Sequence, residues 1–243
     1  MGETKMKLHQ NLITIVALAT VAYLPNCLSK NPNVRGLPNN DKLALIGDSI
    51  FALSGVEKTE IAKLAGENSR GYAQSGAQIA GIVDQYAKAK RAGTIRTMIM
   101  DGGGNDVLIS AVLGSNECVA DSPETLSDAC LTTIHNTNST AASLLATMAA
   151  DGVADVLYQG YYYLPGSRAN LNNALEVGMD LFRDMCEDAP GNCHWVDPRE
   201  AFQGNEAAYV KSDDIHPTDP GSKVLAELVW ATMVEFGIEQ NQQ

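Results

Sequence analysis

The chain is poor in basic residues, which argues against two classes of partner. Lys and Arg contribute 17 residues against 29 Asp and Glu, which gives a net charge of -12 at pH 7. Nucleic acids and anionic membrane surfaces attract basic proteins, so we expect neither as a partner. An ordinary solvated surface also explains the negative charge.

The sequence also lacks the common metal and nucleotide signatures. It contains no CxxC or HxxxH spacing of the kind that binds zinc, so we expect no metal. The glycines at positions 102–104 are not followed by the Lys-Ser/Thr pair of a P-loop, and they do not form a GxGxxG pattern. We therefore do not expect these glycines to hold a phosphate.

The apolar run near the start of the chain is too short to span a membrane. Residues 12–24 are mostly apolar and follow Lys5 and Lys7, whereas a membrane helix needs about 20 residues. A basic segment followed by a short apolar run predicts an export signal over residues 1–29. A buried helix is the alternative. We expect cleavage between positions 22 and 31, and a periplasmic or secreted protein.

The sequence contains five cysteines, of which four are expected to pair. Cys27 lies in a segment that is weakly similar to a bacterial lipoprotein cleavage box, so lipidation there is an alternative that would attach the protein to a membrane. An even number of remaining cysteines in an exported chain predicts two disulfides. Three pairings are possible, and local closure, Cys118 with Cys130 and Cys186 with Cys193, is the simplest expectation.

Short apolar runs alternate with longer helical patterns after a polar segment over residues 30–41, which we interpret as a linker. Strands are predicted at residues 43–46, 71–74, 97–100, 155–158 and 194–196. Helices are predicted at residues 56–65, 78–91, 171–186 and 221–236, with a further helix ending at 150. This alternation predicts one domain, residues 42–243, built on a parallel sheet with helices on both faces.

Ser49, Asp213 and His216 are residue types that nucleophilic acyl chemistry requires. Ser49 follows the first predicted strand in a Gly-Asp-Ser-Ile segment, and Asp213 stands three residues before His216. In a short loop that carboxylate can hold the imidazole, which then accepts the serine proton. The plainer alternatives are that Asp48 or Ser49 caps a helix and that the histidine is structural. Asp214 competes with Asp213 for the orienting role, and we expect it to be a bystander.

Two further segments fall at the same edge of the predicted sheet. Asn105 follows the third strand after three glycines, where its amide can donate to a developing oxyanion. The alternative is a tight turn in which Asn105 or Asp106 caps a helix. Three tyrosines at 161–163 follow the fourth strand, where one of them lines a substrate pocket or the rings cover the core.

Taken in order, these segments resemble the motif blocks of the SGNH (GDSL-type) hydrolase family. Ser49 matches the nucleophile, although isoleucine follows it where the family usually has leucine. Gly76 matches the glycine whose backbone N–H lines the oxyanion hole, with other glycines nearby as alternatives. Asn105 matches the asparagine of the third block, and Asp213 and His216 match the last block.

The resemblance covers residues 42–236 and implies a three-layer α/β/α, flavodoxin-like sandwich with a five-stranded parallel sheet. It implies an esterase or lipase-like enzyme that forms an acyl-serine intermediate, with the oxyanion held by Ser49, Gly76 and Asn105 and with no cofactor. The expected substrate is a small-molecule or carbohydrate ester, and a carbohydrate O-deacetylase is one alternative. A cell-envelope binding module that has the fold without the catalysis is another.

Overall fold

The computed structural model of the chain describes residues 29–238. Cys27 and residues 1–28 of the predicted export signal therefore fall outside the described residues. The strands are β1 (Asn39–Ile46), β2 (Asn68–Gly71), β3 (Thr97–Met100), β4 (Asp155–Gln159) and β5 (Asn192–Val196). The helices are α1 (Ser49–Ala52), α2 (Val56–Ala65), α3 (Ile79–Arg91), α4 (Gly104–Val112), α5 (Asp128–Ala150), α6 (Asn172–Glu187), α7 (Arg199–Phe202), α8 (Glu206–Tyr209) and α9 (Asp219–Glu235).

The strands form a single five-stranded sheet in the order β2-β1-β3-β4-β5. Each neighbouring pair is parallel. This order is the flavodoxin-like arrangement, in which the strand order reverses beside β1 and leaves a crevice at the carboxyl ends of the strands. The predicted fold class is confirmed.

Alternate residues of β1 point to opposite faces of the sheet, as the pleat requires. Ala44 and Ile46 pack with α3, α5 and α6 on one face. Leu43 and Leu45 pack with α1, α2 and α9 on the other. The two cores make the molecule a three-layer sandwich, because the sheet is apolar on both sides.

The second strand lies earlier than the apolar pattern predicts, at Asn68–Gly71 instead of residues 71–74. Its first residue, Asn68, is buried, and its amide is satisfied by the backbone of Val34 and Leu37 at 2.7 to 3.1 Å. Because these contacts remove the penalty of burying a polar side chain, a polar segment can enter the sheet edge. Hydrophobic periodicity carries no signal for such a strand.

Part of the polar segment at residues 30–41 packs against the domain. β1 begins at Asn39, inside that segment. The buried Lys58 of α2 donates to the carbonyl of Pro32 at 2.8 Å and to the side chain of Asn33 at 2.7 Å. Desolvation lowers the pKa of the Lys58 ammonium to about 8.

Both disulfides close locally, in the pairing that the sequence favours. Cys118 bonds to Cys130 and Cys186 bonds to Cys193, across 12 and 7 residues. The first bridge lies in a small apolar cluster that also contains Ile134 of α5 and residues at the start of α6. Among residues 29–238, no helix has the length and apolar character needed to cross a membrane.

Candidate active site

The turn after β1 carries Ser49 and can be built only with glycine at position 47. Gly47 has φ +152°, and a Cβ at this position would lie 2.2 Å from Oδ1 of Asp101. Gln85 of α3 accepts from the Gly47 N–H at 2.7 Å and donates to its carbonyl at 2.9 Å. Buried hydrogen bonds therefore fix the turn that precedes Ser49.

Ser49 is the first residue of α1, and the preceding Asp48 caps this helix. The Asp48 carboxylate accepts from the Ile50 N–H at 2.9 Å, so the capping role predicted for the Gly-Asp-Ser segment is confirmed for Asp48. Ser49 is 8% exposed. Among the described residues, the Ser49 N–H has no acceptor, so it is free to bind a ligand atom.

Asp213 holds His216 through both of its carboxylate oxygens. Oδ2 lies 2.8 Å from Nδ1 of the imidazole, and Oδ1 accepts from the His216 and Ile215 N–H groups at 2.9 and 3.0 Å. Burial opposes ionisation, but these hydrogen bonds outweigh it and lower the pKa of Asp213 below its usual value. The pair leaves Nε2 of His216 available to a second partner.

Asp214 points away from the imidazole and fastens the loop to a neighbouring segment. Its Oδ2 accepts from the backbone N–H and the hydroxyl of Ser167, each at 2.8 Å. The residue has φ +61°, a left-handed conformation that Asp tolerates better than most side chains. The hydroxyl of Tyr162 adds a second anchor, donating to the Ile215 carbonyl at 2.6 Å.

Asn105, in the first turn of α4, is buried beside the serine turn. Its side-chain nitrogen donates to the Ala77 carbonyl at 3.0 Å and to Oδ2 of Asp48 at 3.3 Å. An amide nitrogen carries two hydrogens, so the longer bond to Asp48 is the one that an incoming oxyanion would replace most easily.

Gly76 lies in the loop that follows β2, beside Ala77. It has φ +75°, a conformation that favours glycine, and a Cβ there would meet no atom within 4 Å. Among the described residues its N–H has no acceptor. Gly76 does not line the cavity described below. A free donor in this turn is compatible with the predicted oxyanion contact.

Asp48 is the residue of the site that sequence reasoning valued too little. Besides capping α1 and contacting Asn105, its carboxylate accepts from the hydroxyl of Tyr161 at 2.7 Å. Burial raises the pKa of Asp48, and the hydrogen bonds from Ile50 and Tyr161 and the charge of His216 offset part of that rise. Its position directly before Ser49 is the feature of the sequence that could have identified Asp48 as part of the site.

Two more buried carboxyls lie beneath the serine turn. Asp101, at the end of β3, accepts from the Asp48 N–H at 2.7 Å. Burial and the charge of Asp48 raise the pKa of Asp101 well above its usual value. Burial likewise raises the pKa of Glu57 in α2 well above its usual value. All three acids are at most 2% exposed.

A cavity opens beside Ser49 and extends between the helices of one face. The space between its walls amounts to about 810 Å³, the solvent at its open mouth included. Its near end is formed by Ser49, Asn105 and the glycines at 102–104, and its walls by α4, α5 and α6. Tyr161 and Tyr162 both line it, as predicted for one of the three tyrosines.

The structure also resembles solved structures of ester-cleaving enzymes. A catalytic mutant of the acetylxylan esterase Axe2 from Geobacillus stearothermophilus superposes with a TM-score of 0.62 and 16% identity, over 81% of this chain and 95% of that one. A lipase from a goat rumen metagenome gives 0.60 and 15%, over 78% and 96%. A GDSL-like lipase from Parabacteroides merdae gives 0.55 and 12%, over 84% and 99%.

No protein-family model and no curated protein matches the chain. At these low identities the structural likeness defines the fold alone. That likeness covers 78 to 84% of this chain. The chain therefore has the fold of the SGNH (GDSL-type) hydrolases.

Proposed function

We propose that this protein is an exported serine hydrolase that cleaves carboxylic esters through an acyl-serine intermediate. Ser49 is the nucleophile, His216 the general base and acid, and Asp213 the carboxylate that orients the imidazole. The observation that carries the proposal is the 2.8 Å contact between His216 and Asp213, in a loop whose Ile215 lines the same cavity as Ser49.

In the acylation step, Oγ of Ser49 attacks the ester carbonyl carbon while Nε2 of His216 takes the hydroxyl proton. The carbonyl π electrons move to its oxygen, which becomes the oxyanion. That charge is received by the N–H groups of Ser49 and Gly76 and by the side-chain amide of Asn105. Collapse of the intermediate breaks the bond to the alcohol, which leaves with the proton from His216.

In the deacylation step, water replaces the alcohol beside the imidazole. His216 removes one proton from this water, whose oxygen attacks the acyl-serine carbonyl. Collapse then returns the proton to Oγ of Ser49 and releases the carboxylic acid. Asp213 stays ionised throughout and stabilises the imidazolium, a role to which its lowered pKa is suited.

Export is the part of the proposal that rests on the start of the chain and on the cysteines. Two disulfides are compatible with a periplasmic or extracellular protein, because reducing compartments rarely maintain such bonds. The predicted signal over residues 1–29 supplies the route. Fractionation of the producing cell tests it: full-length protein in the cytosol with free thiols would contradict export.

A carbohydrate O-deacetylase is the second candidate for the reaction. It is favoured by the acetylxylan esterases among the structural neighbours. Both candidates use the same catalytic groups and differ in the walls of the pocket. Release of acetate from acetylated xylo-oligosaccharides, compared with nitrophenyl esters, separates them.

The decisive test is hydrolysis of p-nitrophenyl butyrate by the wild type and by Ser49→Ala. We expect the variant to lose at least about 10³-fold in kcat, as removal of a serine nucleophile does elsewhere. Ser143→Ala, on the exposed side of α5, is the matched control and should keep full activity. An organophosphonate should label Ser49. A labelled residue elsewhere, or equal activity of Ser49→Ala and wild type, would refute the assignment.

A further inference from the structure

We infer that the cavity beside Ser49 binds the acyl chain of the substrate, and that the protein acts on esters of medium-chain fatty acids in preference to acetate esters. This inference rests on the proposed function and names its substrate class. It is drawn from the walls of the cavity, from a glycine in α6 and from the position of His216.

Beyond its catalytic end, the cavity offers no side-chain hydrogen-bond donor that is not already used. Among its lining residues away from Ser49, Asp48 and Asn105, the only side chains with a polar group are Thr137, Tyr161 and Tyr162. The Thr137 hydroxyl donates to the Thr133 carbonyl at 2.8 Å. The tyrosine hydroxyls donate to Asp48 and to the Ile215 carbonyl. A sugar in this space would find no free side-chain donor for its oxygens, whereas a hydrocarbon chain needs none.

The remaining walls are aliphatic or aromatic. They come from α4, the start of α5 and one face of α6, and include Val107, Leu108, Ile134, Leu175, Met179 and Phe182. Ile134 also belongs to the apolar cluster around the disulfide between Cys118 and Cys130. The bridge therefore belongs to the apolar cluster that contributes Ile134 to this wall of the cavity.

Gly178 in α6 leaves room that a larger residue would fill. A glycine weakens the interior of a helix. The usual reasons for one, a left-handed backbone or a close neighbouring atom, are absent here. Gly178 lies within α6, outside the left-handed region. The atom closest to a Cβ placed there is Cγ2 of Ile134, at 4.0 Å, so no neighbour requires a glycine. Ala174, one turn earlier, is small as well and also lines the cavity.

The position of the loop that carries Asp213 and His216 indicates which half of the ester enters the cavity. The leaving alcohol must face His216, which protonates it. His216 does not line the cavity, and of its loop only Ile215 does. The group that extends between α4, α5 and α6 is therefore the one turned away from the imidazole, which is the acyl chain.

The first experiment measures kcat/KM of the wild type for p-nitrophenyl acetate, butyrate, octanoate and laurate. Each buried methylene is expected to raise kcat/KM about fourfold, so octanoate should exceed acetate by at least about 100-fold. A second series keeps the acetyl group and lengthens the alcohol, and there we expect no comparable gain. A rate that is highest for acetate, or a gain that follows the alcohol, would overturn the inference.

The second experiment fills the cavity with Gly178→Leu. We expect the ratio of octanoate to acetate kcat/KM to fall at least tenfold, because the new side chain occupies the space of the acyl chain. Asp184→Leu adds the same side chain to the exposed face of α6 and should leave the ratio unchanged. Gly178→Ala, which has space for its Cβ, replaces the leucine variant if circular dichroism shows that the latter is unfolded.

The outcomes separate this inference from the proposed function. If no ester is cleaved faster by the wild type than by Ser49→Ala, the hydrolase assignment itself fails. If esters are cleaved but chain length has no effect, or if Gly178→Leu keeps the wild-type ratio, the acyl cavity fails while the hydrolase stands. A falling ratio together with Ser49-dependent hydrolysis supports both.

Discussion

Replacing Glu57 by glutamine should remove part of the pH dependence of folding. Glu57 is 0% exposed, and neither of its carboxyl oxygens has a hydrogen-bond partner within the described residues. Burial raises its pKa well above the ordinary 4.5, so the folded state keeps the proton that the unfolded state releases as the pH rises past that value. The stability due to this proton is complete at low pH and is lost as the pH rises through the folded-state pKa.

The size of the effect follows from proton linkage. While the folded state holds one more proton than the unfolded state, the free energy of unfolding falls by about 1.4 kcal/mol per pH unit. The free energy of unfolding of the wild type should therefore fall relative to that of Glu57→Gln, by about 1.4 kcal/mol for each pH unit between the unfolded-state and folded-state pKa values of this carboxyl. Asp101 has a raised pKa of the same sign, so some slope should remain in the variant.

Urea denaturation of both proteins at pH 5, 6, 7 and 8 measures the difference directly. The stabilities should be similar at pH 5 and should diverge in favour of Glu57→Gln as the pH rises. Glu227→Gln, at an exposed position of α9, is the control and should follow the wild type. Parallel curves for Glu57→Gln and the wild type across this range would mean that the buried carboxyl is not held protonated.

The other predictions concern the site and its wall. Asp213→Asn should lower kcat by about 10⁴-fold while Asp214→Asn stays within about tenfold, measured on p-nitrophenyl butyrate; comparable losses would contradict the assigned roles. Tyr161→Phe removes a hydrogen bond to a buried carboxylate and should destabilise the fold by about 1.5 to 3 kcal/mol, measured by urea denaturation; an unchanged midpoint would show that the contact contributes nothing. The double variant Cys118→Ser, Cys130→Ser should lose up to about 3 kcal/mol and lose more activity on octanoate than on acetate; an equal loss on both esters would show that the bridge does not shape the cavity.

Four of the five strands and the pairing of Asp213 with His216 were predictable because each leaves a strong local signal, whereas the polar strand β2 leaves none. Apolar runs flanked by turns identify buried strands, and the helix at Val56–Ala65 has the predicted bounds. The pairing of Asp213 with His216 follows from a spacing of three residues within one loop. Such features depend on neighbours in sequence.

The contacts that support the site were not predictable, because they join residues far apart in the chain. Asp48 and Tyr161 are separated by 113 positions, and Asp214 and Ser167 by 47. The burial of Glu57 is equally hidden, since a glutamate in a helix is normally solvated. Glu57 is shielded from solvent only because α2 packs on the sheet.

The local closure of both disulfides has a consequence for how the chain matures. Each bridge links cysteines within one stretch of the polypeptide, 12 and 7 positions apart. Neither joins two strands of the sheet. The sheet can therefore assemble before any thiol is oxidised, and each bond can form as soon as its own short segment emerges. Neither bond therefore has to select which strands of the sheet become neighbours.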